Sequence, residues 1–288
     1  MCIRDRYKIA FSNKQKFWQI ASDGGFLNAP VEMTALSVAP SERVEIVVDF
    51  SQAKTGMIEL VSFAFKPLDR DDAMEVQEGS ESSLDWREGQ KTRSRRSKED
   101  QQNVKDGRPP SGYGFALAQI RIPTDVLKQE AQPLPQVLNH IADANPSVAA
   151  NLAHPRTFQL EGPGTDDKVH NPEGFDYAAT INKVKLDPEM KVINEHVKQN
   201  SFEVWDVTNA ADDMMHPFHV HGGSFRVISR SGGPVAPSDL GLKDTVQTFP
   251  GETVRILVDW SIGKGNYFYH CHVLEHEDMG MMGIVAVE

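Results

Sequence analysis

Two segments far apart in this sequence match each other without a gap. Residues 40–51 read PSERVEIVVDFS and residues 250–261 read PGETVRILVDWS. Each is typical of a turn followed by a β-strand, because apolar side chains recur at every second position after the turn. The apolar face is Val44, Ile46, Val48 and Phe50 in the first copy, and Val254, Ile256, Val258 and Trp260 in the second. Chance similarity between two amphipathic strands is the alternative, but the repeat favours an all-β chain with two copies of one β-sandwich.

The length and the local composition predict two domains and an insertion. At roughly 150 residues per domain, the 288 residues correspond to two domains. Residues 66–110 hold 11 acidic and 10 basic side chains in 45 positions, so they bury too little apolar surface to offset the entropy of ordering. We therefore expect a first domain at 1–125 with a long disordered insertion at 66–110, a linker at 126–150 and a second domain at 151–288.

Net charge and hydropathy exclude several classes of partner. The formal net charge of -11 disfavours binding to nucleic acid. No run of about 18 apolar residues is present, so the sequence predicts no membrane-spanning helix. The first residues lack the apolar core and the cleavage site of a signal peptide, and we interpret residues 1–6 as a scar that replaces the natural start. A disulfide between Cys2 in this segment and Cys271 is therefore not favoured.

The histidines are concentrated in two short motifs near the C-terminus. Six of the ten lie in HPFHVHG, which begins at His216, and in HCHVLEH, which begins at His270. Together with a cysteine and a later methionine, the candidate metal ligands are His216, His219, His221, His270, Cys271, His272, His276 and Met281. Soft sulfur donors beside imidazoles indicate a transition-metal site. The isolated histidines, interpreted as surface or packing residues, are His140, His154, His170 and His196.

The alternation of side chains along a β-strand sorts these ligands into two sets. Residues on either side of Cys271 point to the face opposite its sulfur when the backbone is extended. His219 and His221 share a face in the same way, whereas the odd spacing of His216 from His219 puts it on the other side. The first predicted set is His216, Cys271, His276 and Met281, and the second is His219, His221, His270 and His272.

The first set has the composition of a blue-copper electron-transfer site, which uses two imidazoles, a thiolate and a weak axial thioether. Zinc also accepts cysteine and histidine, but a thioether is a poor zinc ligand and structural zinc sites usually carry more cysteines. The second set has four imidazoles around a different metal position. Because Cys271 is bonded directly to His270 and His272, an electron that reaches the first position has a short covalent route to the second.

Both motifs closely resemble the two C-terminal copper motifs of the multicopper oxidases. The segments GGSFRVISRSG and LKDTVQTFPGETVRILVDW, which lie between the motifs, are also similar to the last domain of that family. The resemblance covers most of residues 151–288, and residues 7–65 resemble the middle domain more loosely. Bacterial copper-efflux oxidases and spore-coat laccases are the nearest groups. The resemblance implies two cupredoxin-like Greek-key β-sandwich domains, of which the first carries no copper ligands.

The resemblance also implies a role for each candidate ligand. His216, Cys271 and His276 match the ligands of the mononuclear type 1 copper. Met281 matches its axial ligand, and His219 matches a ligand of the type 2 copper in the trinuclear cluster. The positions that match type 3 ligands are His221, His270 and His272.

Three further residues match functional positions of the family. Glu277 matches an acid that relays protons to the trinuclear cluster, and a surface carboxylate near the chain end is the alternative interpretation. Asp212 and Met214 match positions where copper-efflux oxidases bind substrate Cu(I), since a carboxylate and a thioether suit a cuprous ion. The methionine-rich insert typical of those enzymes is absent here, and a polar loop end with a buried methionine is the alternative.

One part of the family pattern is missing from this sequence. Half of the histidines of a trinuclear cluster come from two HxH motifs in an N-terminal domain, and this chain contains neither motif. We therefore expect a complete type 1 site and half of the type 2 and type 3 ligands, with the N-terminal cupredoxin domain of the parent enzyme as the missing partner. The isolated chain is expected to reduce dioxygen poorly or not at all.

The predicted function is that of a copper-dependent oxidase of the laccase or cuprous oxidase type. The resemblance implies dioxygen and a small reductant, Cu(I) or a phenol, as its partners, and a periplasmic or secreted location. The alternatives are a blue-copper electron carrier and a copper-storage or structural module without oxidase activity. Retention of the four-imidazole set argues against a simple carrier, because a carrier needs no second cluster.

Overall fold

The computed structural model describes residues 6–51, 53, 56–63, 114–123, 132–142, 144–162, 179–210 and 214–288. The predicted insertion at 66–110 lies outside the described residues, as do Cys2, His170 and Asp212. In the described part of the chain, strands predominate and the helices are short. None of those helices combines the length and the apolar character needed to cross a membrane.

Seven strands form the first pair of sheets. They are β1 (Tyr7–Phe11), β2 (Phe17–Ser22), β3 (Gly25–Met33), β4 (Ala35–Val38), β5 (Glu45–Val47), β6 (Gly56–Ser62) and β7 (Phe115–Ile122). One sheet has the order β4-β1-β6-β7 and the other has the order β3-β2-β5, and all their pairs are antiparallel. Side chains from both sheets form one hydrophobic core, which includes Phe11, Phe17, Met33 and Ile58.

Ten strands form the second pair of sheets. They are β8 (Arg156–Glu161), β9 (Thr180–Ile181), β10 (Glu195–Val197), β11 (Phe202–Asn209), β12 (His216–Val220), β13 (Ser224–Arg230), β14 (Thr245–Thr248), β15 (Thr253–Asp259), β16 (Gly265–Cys271) and β17 (Met282–Val287). The sheet orders are β10-β17-β16-β12-β14 and β13-β15-β11-β8-β9. A short helix, α1 (Leu274–Asp278), connects β16 to β17, and 3-10 turns lie at Pro146–Val148 and Pro237–Asp239.

Large aromatic side chains hold the second pair of sheets together. The ring centroid of Phe158 on β8 lies 4.5 Å from that of Trp205 on β11 and 5.0 Å from that of Tyr269 on β16, in the opposite sheet. Buried rings of this size dominate the energetics of a core. The same core contains Cys271 and Met281, so two of the predicted metal ligands are part of it. The prediction of an all-β chain with two β-sandwiches is confirmed.

Each repeated segment of the sequence contributes its apolar face to one of the two cores. In the second copy the apolar face runs along β15, a strand with a partner on each side, to Trp260 directly after it, and all four residues of that face are fully buried. In the first copy the four residues pack against the first core but are only partly buried. The strand there, β5, is short and lies at the edge of its sheet, which leaves one side without a neighbouring strand.

This difference in burial predicts unequal costs for the same substitution. Ile256→Val is expected to lower the free energy of unfolding by about 0.5–1.5 kcal/mol, because it removes a methylene from a fully buried site. Ile46→Val, at the matching position of the first copy, is expected to cost less because the side chain is only partly buried. Urea unfolding of both variants measures the difference, and an equal or larger loss for Ile46→Val would contradict it.

Part of the predicted linker, residues 132–142, is hydrogen-bonded to β3. The Asn28 side chain donates to the carbonyl of Ile141 at 2.9 Å and accepts from the Ile141 amide at 2.6 Å. The Asn28 carbonyl also accepts from the amide of Leu138 at 2.9 Å. These bonds tie residues 132–142 to the first pair of sheets. The division of the chain at 125 and 150 stays a prediction.

Candidate metal centre

Two adjacent strands bring the histidine motifs together. β12 pairs with β16 in antiparallel register, so that Phe218 lies opposite Cys271 and His219 lies opposite His270. Both strands are interior to their sheet, flanked by β14 and β17. Their backbones are therefore held by hydrogen bonds on both sides, which gives the motif side chains fixed starting points.

Three donor atoms converge near the end of β16. The Cys271 Sγ lies 3.4 Å from His216 Nδ1 and 3.7 Å from His276 Nδ1, and the two imidazole nitrogens are 3.3 Å apart. His276 is supplied by α1, which folds back directly after the strand. All three side chains are buried. The arrangement brings together two imidazoles and a sulfur in a site closed to bulk water.

The donor spacing fits a single metal ion. Bonds of about 2.0 Å to nitrogen and about 2.3 Å to sulfur, spread at trigonal angles, place two nitrogens about 3.5 Å apart and nitrogen and sulfur about 3.7 Å apart. The observed separations of 3.3, 3.4 and 3.7 Å lie close to these values. A trigonal arrangement of two histidines and one cysteine is the ligand geometry of blue-copper centres.

Met281 lies beside this trio. Its side chain is fully buried and belongs to the same core as Cys271. Its amide donates to the carbonyl of His276 at 2.9 Å, and its carbonyl accepts from the amide of Cys271 at 3.1 Å. The backbone of Met281 is therefore tied to two of the three donor residues.

The four remaining candidate ligands form a second group. The Nε2 atoms of His221 and His270 are 2.9 Å apart, and the rings of His219 and His221 are 4.8 Å apart between centroids. The ring of His272 lies 5.1 Å from that of His270 and 5.4 Å from that of His219. Ligand atoms of the first three residues all lie within 4.8 Å of one another. Each predicted set is thus clustered, with Cys271 in one group and its chain neighbours in the other.

Hydrogen bonds and burial set the protonation of this second group. His219 Nδ1 lies 3.0 Å from the carbonyl of Asp244, which only accepts, so this nitrogen carries a proton, and in the neutral ring the lone pair is on Nε2. The pKa of His270 is lowered to about 4, chiefly by burial and then by the neighbouring imidazoles, against a hydrogen bond to the Cys271 carbonyl that raises it. Burial and adjacent imidazoles also lower the pKa of His221. Neutral imidazole is the form that binds metals.

The other predicted site residues lie close by where the structure describes them. Glu277 Oε2 is 3.7 Å from His270 Nδ1, and the Glu277 side chain is partly exposed. Met214 packs against the second core, and its carbonyl accepts from Asn209 Nδ2 at 2.7 Å. Asp212 lies outside the described residues. The isolated histidines that the structure describes are exposed: His140, His154 and His196.

The residues that hold His219 lie outside both histidine motifs. Asp244 and Thr245 both contact its Nδ1 atom, and Asp23 and Arg43, from the first pair of sheets, contact Asp244. Asp244 lies in the LKDTVQ segment between the motifs. No local pattern marks Asp23 or Arg43, because their proximity to His219 arises only when the two pairs of sheets pack together.

Comparison with known proteins places this geometry in context. The family described as Multicopper oxidase matches residues 150–288. Multicopper oxidase mco of Staphylococcus haemolyticus is 30% identical over 97% of this chain, which covers 44% of that protein. A laccase of Bacillus subtilis is 28% identical over 96% of this chain and 47% of its own length. The chain spans about half the length of the curated relatives it matches.

A solved structure of a multicopper oxidase is also similar to this chain. The crystal structure of the 2F4 variant of McoA multicopper oxidase from Aquifex aeolicus has a TM-score of 0.71 to this chain at 25% sequence identity. The similarity covers 99% of this chain and 53% of that one. Both pairs of sheets therefore have counterparts in a structure of that type.

Proposed function

Because the chain belongs to the multicopper oxidase family, we propose that it is the part of a laccase-type or cuprous oxidase that receives electrons from the reductant. The proposed reaction couples four one-electron oxidations of Cu(I) or a phenol to the reduction of one dioxygen to two waters, which takes up four electrons and four protons. His216, Cys271 and His276 would hold a mononuclear type 1 copper, with Met281 as a further ligand. The activity of the whole protein is part of the proposal, since the chain spans about half of its relatives.

The observation that carries the proposal is the trio of donor atoms around Cys271. Their separations match those imposed by one trigonal metal ion, and the buried thioether of Met281 adds a soft fourth group. Zinc in structural sites favours four ligands in tetrahedral geometry, usually with more than one cysteine. When bound, copper at this site supplies one-electron redox chemistry.

The imidazole group would hold one half of a trinuclear copper site. The ligands from this chain are His219 for type 2 copper, and His221, His270 and His272 for type 3 copper. The other half would come from the N-terminal cupredoxin domain of the parent enzyme. Because Cys271 is flanked directly by His270 and His272, the peptide backbone of β16 offers a short path between the two groups, and the paired strand keeps their separation constant.

In this proposal, Glu277 transfers protons, and Asp212 and Met214 bind the substrate. Glu277 would move protons through its Oε2 atom, which lies 3.7 Å from His270 Nδ1 on a side chain that also reaches solvent. Asp212 and Met214, which precede His216 in the sequence, would receive substrate Cu(I). The proposed location is periplasmic or secreted, as in enzymes that oxidise reductants outside the cytoplasm.

Copper loading followed by oxygen consumption tests the proposal. The purified chain, loaded with copper, is expected to show intense visible absorption from a thiolate-copper bond and to keep it in the presence of equimolar zinc. Oxygen uptake with Cu(I) or a phenol is expected to be slow, because this chain supplies only half of the trinuclear ligands. A colourless copper complex would contradict the type 1 assignment, and rapid oxygen uptake would contradict the half-site.

A further inference from the structure

The segment that precedes β14 is fastened to the first pair of sheets. The carbonyl of Leu242 accepts from the amide of Gly24 and from the hydroxyl of Ser22, each at 2.8 Å. The approach is close, because a Cβ atom added at Gly241 would lie 2.0 Å from Ser22 Oγ. The turn between β2 and β3 therefore fixes the position of residues 241–245 relative to the first core.

A buried carboxylate extends this attachment. The Asp23 side chain is fully buried, and its Oδ2 atom accepts from the amides of Asp244 and Thr245, both at 3.2 Å. Its Oδ1 atom accepts from the amide of Arg43 at 2.7 Å. Asp23 thus orients the peptide groups on both sides of the Asp244 side chain.

The Arg43 side chain forms a bidentate ion pair with the carboxylate of Asp244. Its Nη1 and Nη2 atoms donate to the two carboxylate oxygens of Asp244 at 2.7 and 2.5 Å. Arg43 also donates to the carbonyl of Asp23 at 3.2 Å, which holds the guanidinium in place. Two parallel bonds from a planar guanidinium restrict the carboxylate to one orientation.

Asp244 and Thr245 in turn orient the His219 ring through hydrogen bonds to its Nδ1 atom. The Thr245 hydroxyl donates to Asp244 Oδ1 at 2.9 Å, so its oxygen is free to accept from His219 Nδ1, also at 2.9 Å. The Asp244 carbonyl accepts from the same nitrogen at 3.0 Å. Two acceptors at Nδ1 select one tautomer of the neutral ring and restrict its orientation, with the ring centroid 4.8 Å from that of His221 and 5.2 Å from that of His270.

We propose that Asp23 and Arg43 are positioning residues for His219, so that the domain without copper ligands determines the ring orientation and tautomer of one imidazole in the second group. The consequence for copper rests on the proposed function, whereas the ring orientation does not. Partners of ligating histidines are typically worth about 10–100-fold in metal affinity. Here those partners are held from a separate pair of sheets.

The first test uses the metal-free chain. Long-range proton–nitrogen NMR at a pH where the ring is neutral, with the signal assigned through His219→Gln, is expected to show the Nδ1–H tautomer of His219. Arg43→Gln is expected to introduce the Nε2–H form, because Asp244 and Thr245 lose their fixed orientation. Asp23→Asn is a second variant that loosens the same segment. An unchanged tautomer in both variants would overturn the proposal.

A matched control separates positioning from general destabilisation. Arg255 makes a similar pair with Asp206, with both donor–acceptor distances at 2.7 Å and a comparable exposure of the arginine. The pair lies on β11 and β15, in the sheet that does not carry His219. Arg255→Gln is expected to leave the His219 spectrum unchanged. An equal effect of Arg255→Gln would show that Arg43 acts only through stability.

The second test uses copper as the probe. A titration followed by electron paramagnetic resonance is expected to show about 10–100-fold weaker copper binding to the imidazole group in Arg43→Gln, with unchanged visible absorption from the Cys271 site. Equal weakening at both sites would contradict a specific action on His219. Failure of the visible absorption in the unaltered chain would contradict the proposed function, while the metal-free NMR result would still decide the role of Asp23 and Arg43.

Discussion

Cys271→Ser is expected to abolish the intense visible absorption of the copper-loaded chain and to leave the fold intact. The absorption requires a thiolate bonded to copper, and a serine hydroxyl is neither deprotonated near neutral pH nor a soft ligand. Cys271 is fully buried, with its sulfur 3.4 and 3.7 Å from two imidazole nitrogens. Visible absorption measured during copper titration gives the result, and far-ultraviolet circular dichroism reports the fold.

Cys2, the other cysteine of the sequence, provides the matched control. Cys2→Ser makes the same substitution at a residue outside both predicted sets of metal ligands, and it is expected to keep the full absorption. Copper binding to the imidazole group is expected to survive in Cys271→Ser, because its four ligands are unchanged. Retention of the intense band in Cys271→Ser would mean that the thiolate assignment is wrong.

Lys243→Met is expected to lower the free energy of unfolding by about 3–5 kcal/mol, the usual cost of removing one partner from a buried ion pair. The Lys243 Nζ atom lies 3.1 Å from Glu42, 3.6 Å from Asp239 and 3.8 Å from Asp23, and all four side chains are buried. Without the ammonium group, three carboxylates remain close together away from water. Urea unfolding followed by circular dichroism measures the loss.

The charge of Lys243 is stable over the range of such an experiment. Burial lowers the pKa of Lys243, but the carboxylates of Glu42, Asp239 and Asp23 raise it well above its usual value. A raised pKa means that the stabilisation is fully present below the unfolded-state pKa of about 10.4 and is lost only as pH rises through the folded-state value. The contribution of Lys243 to the stability of the unaltered chain is therefore expected to be constant between pH 7 and pH 9, values well below about 10.4.

An exposed ion pair and a second substitution provide controls. Lys16→Met removes the partner of Glu32 from a pair at 2.5 Å whose side chains are about half exposed, and it is expected to cost at most about 1 kcal/mol. Glu42→Gln in the Lys243→Met background is expected to recover part of the loss, because it removes the carboxylate that Lys243 contacts most closely, whereas Asp239 keeps its ion pair with Arg230. A loss for Lys243→Met no larger than that for Lys16→Met would contradict the structural role of this network.

Much of the secondary structure was accessible from local patterns. The second copy of the repeat is typical of a turn followed by a strand, and β15 spans Thr253–Asp259 within it. The apolar alternation of the repeat also predicted which side chains face each core, because alternation is a property of any extended backbone. The extent of β5 was not predictable in this way, since a strand's length depends on whether neighbours pair with it on one side or on both.

The repeat also contained a signal whose meaning the sequence could not reveal. Its two copies share a glutamate, Glu42 and Glu252. Glu42 pairs with Lys243 across the two pairs of sheets, whereas Glu252 accepts from Arg230 at 2.9 Å within the second pair. The same residue in the same local context thus meets different partners, because those partners come from elements distant in the chain.

For the candidate metal centre, the sequence by itself determined the donor types and their division into two sets. Adjacent residues of a strand face opposite ways, so Cys271 had to separate from its neighbours His270 and His272 whatever the surrounding fold. Only the tertiary structure decided how the second set is held. The orientation of His219 depends on Asp23 and Arg43, which reach it through Asp244 only because two separate β-sandwiches pack against each other, and packing between distant segments leaves no local periodicity in a sequence.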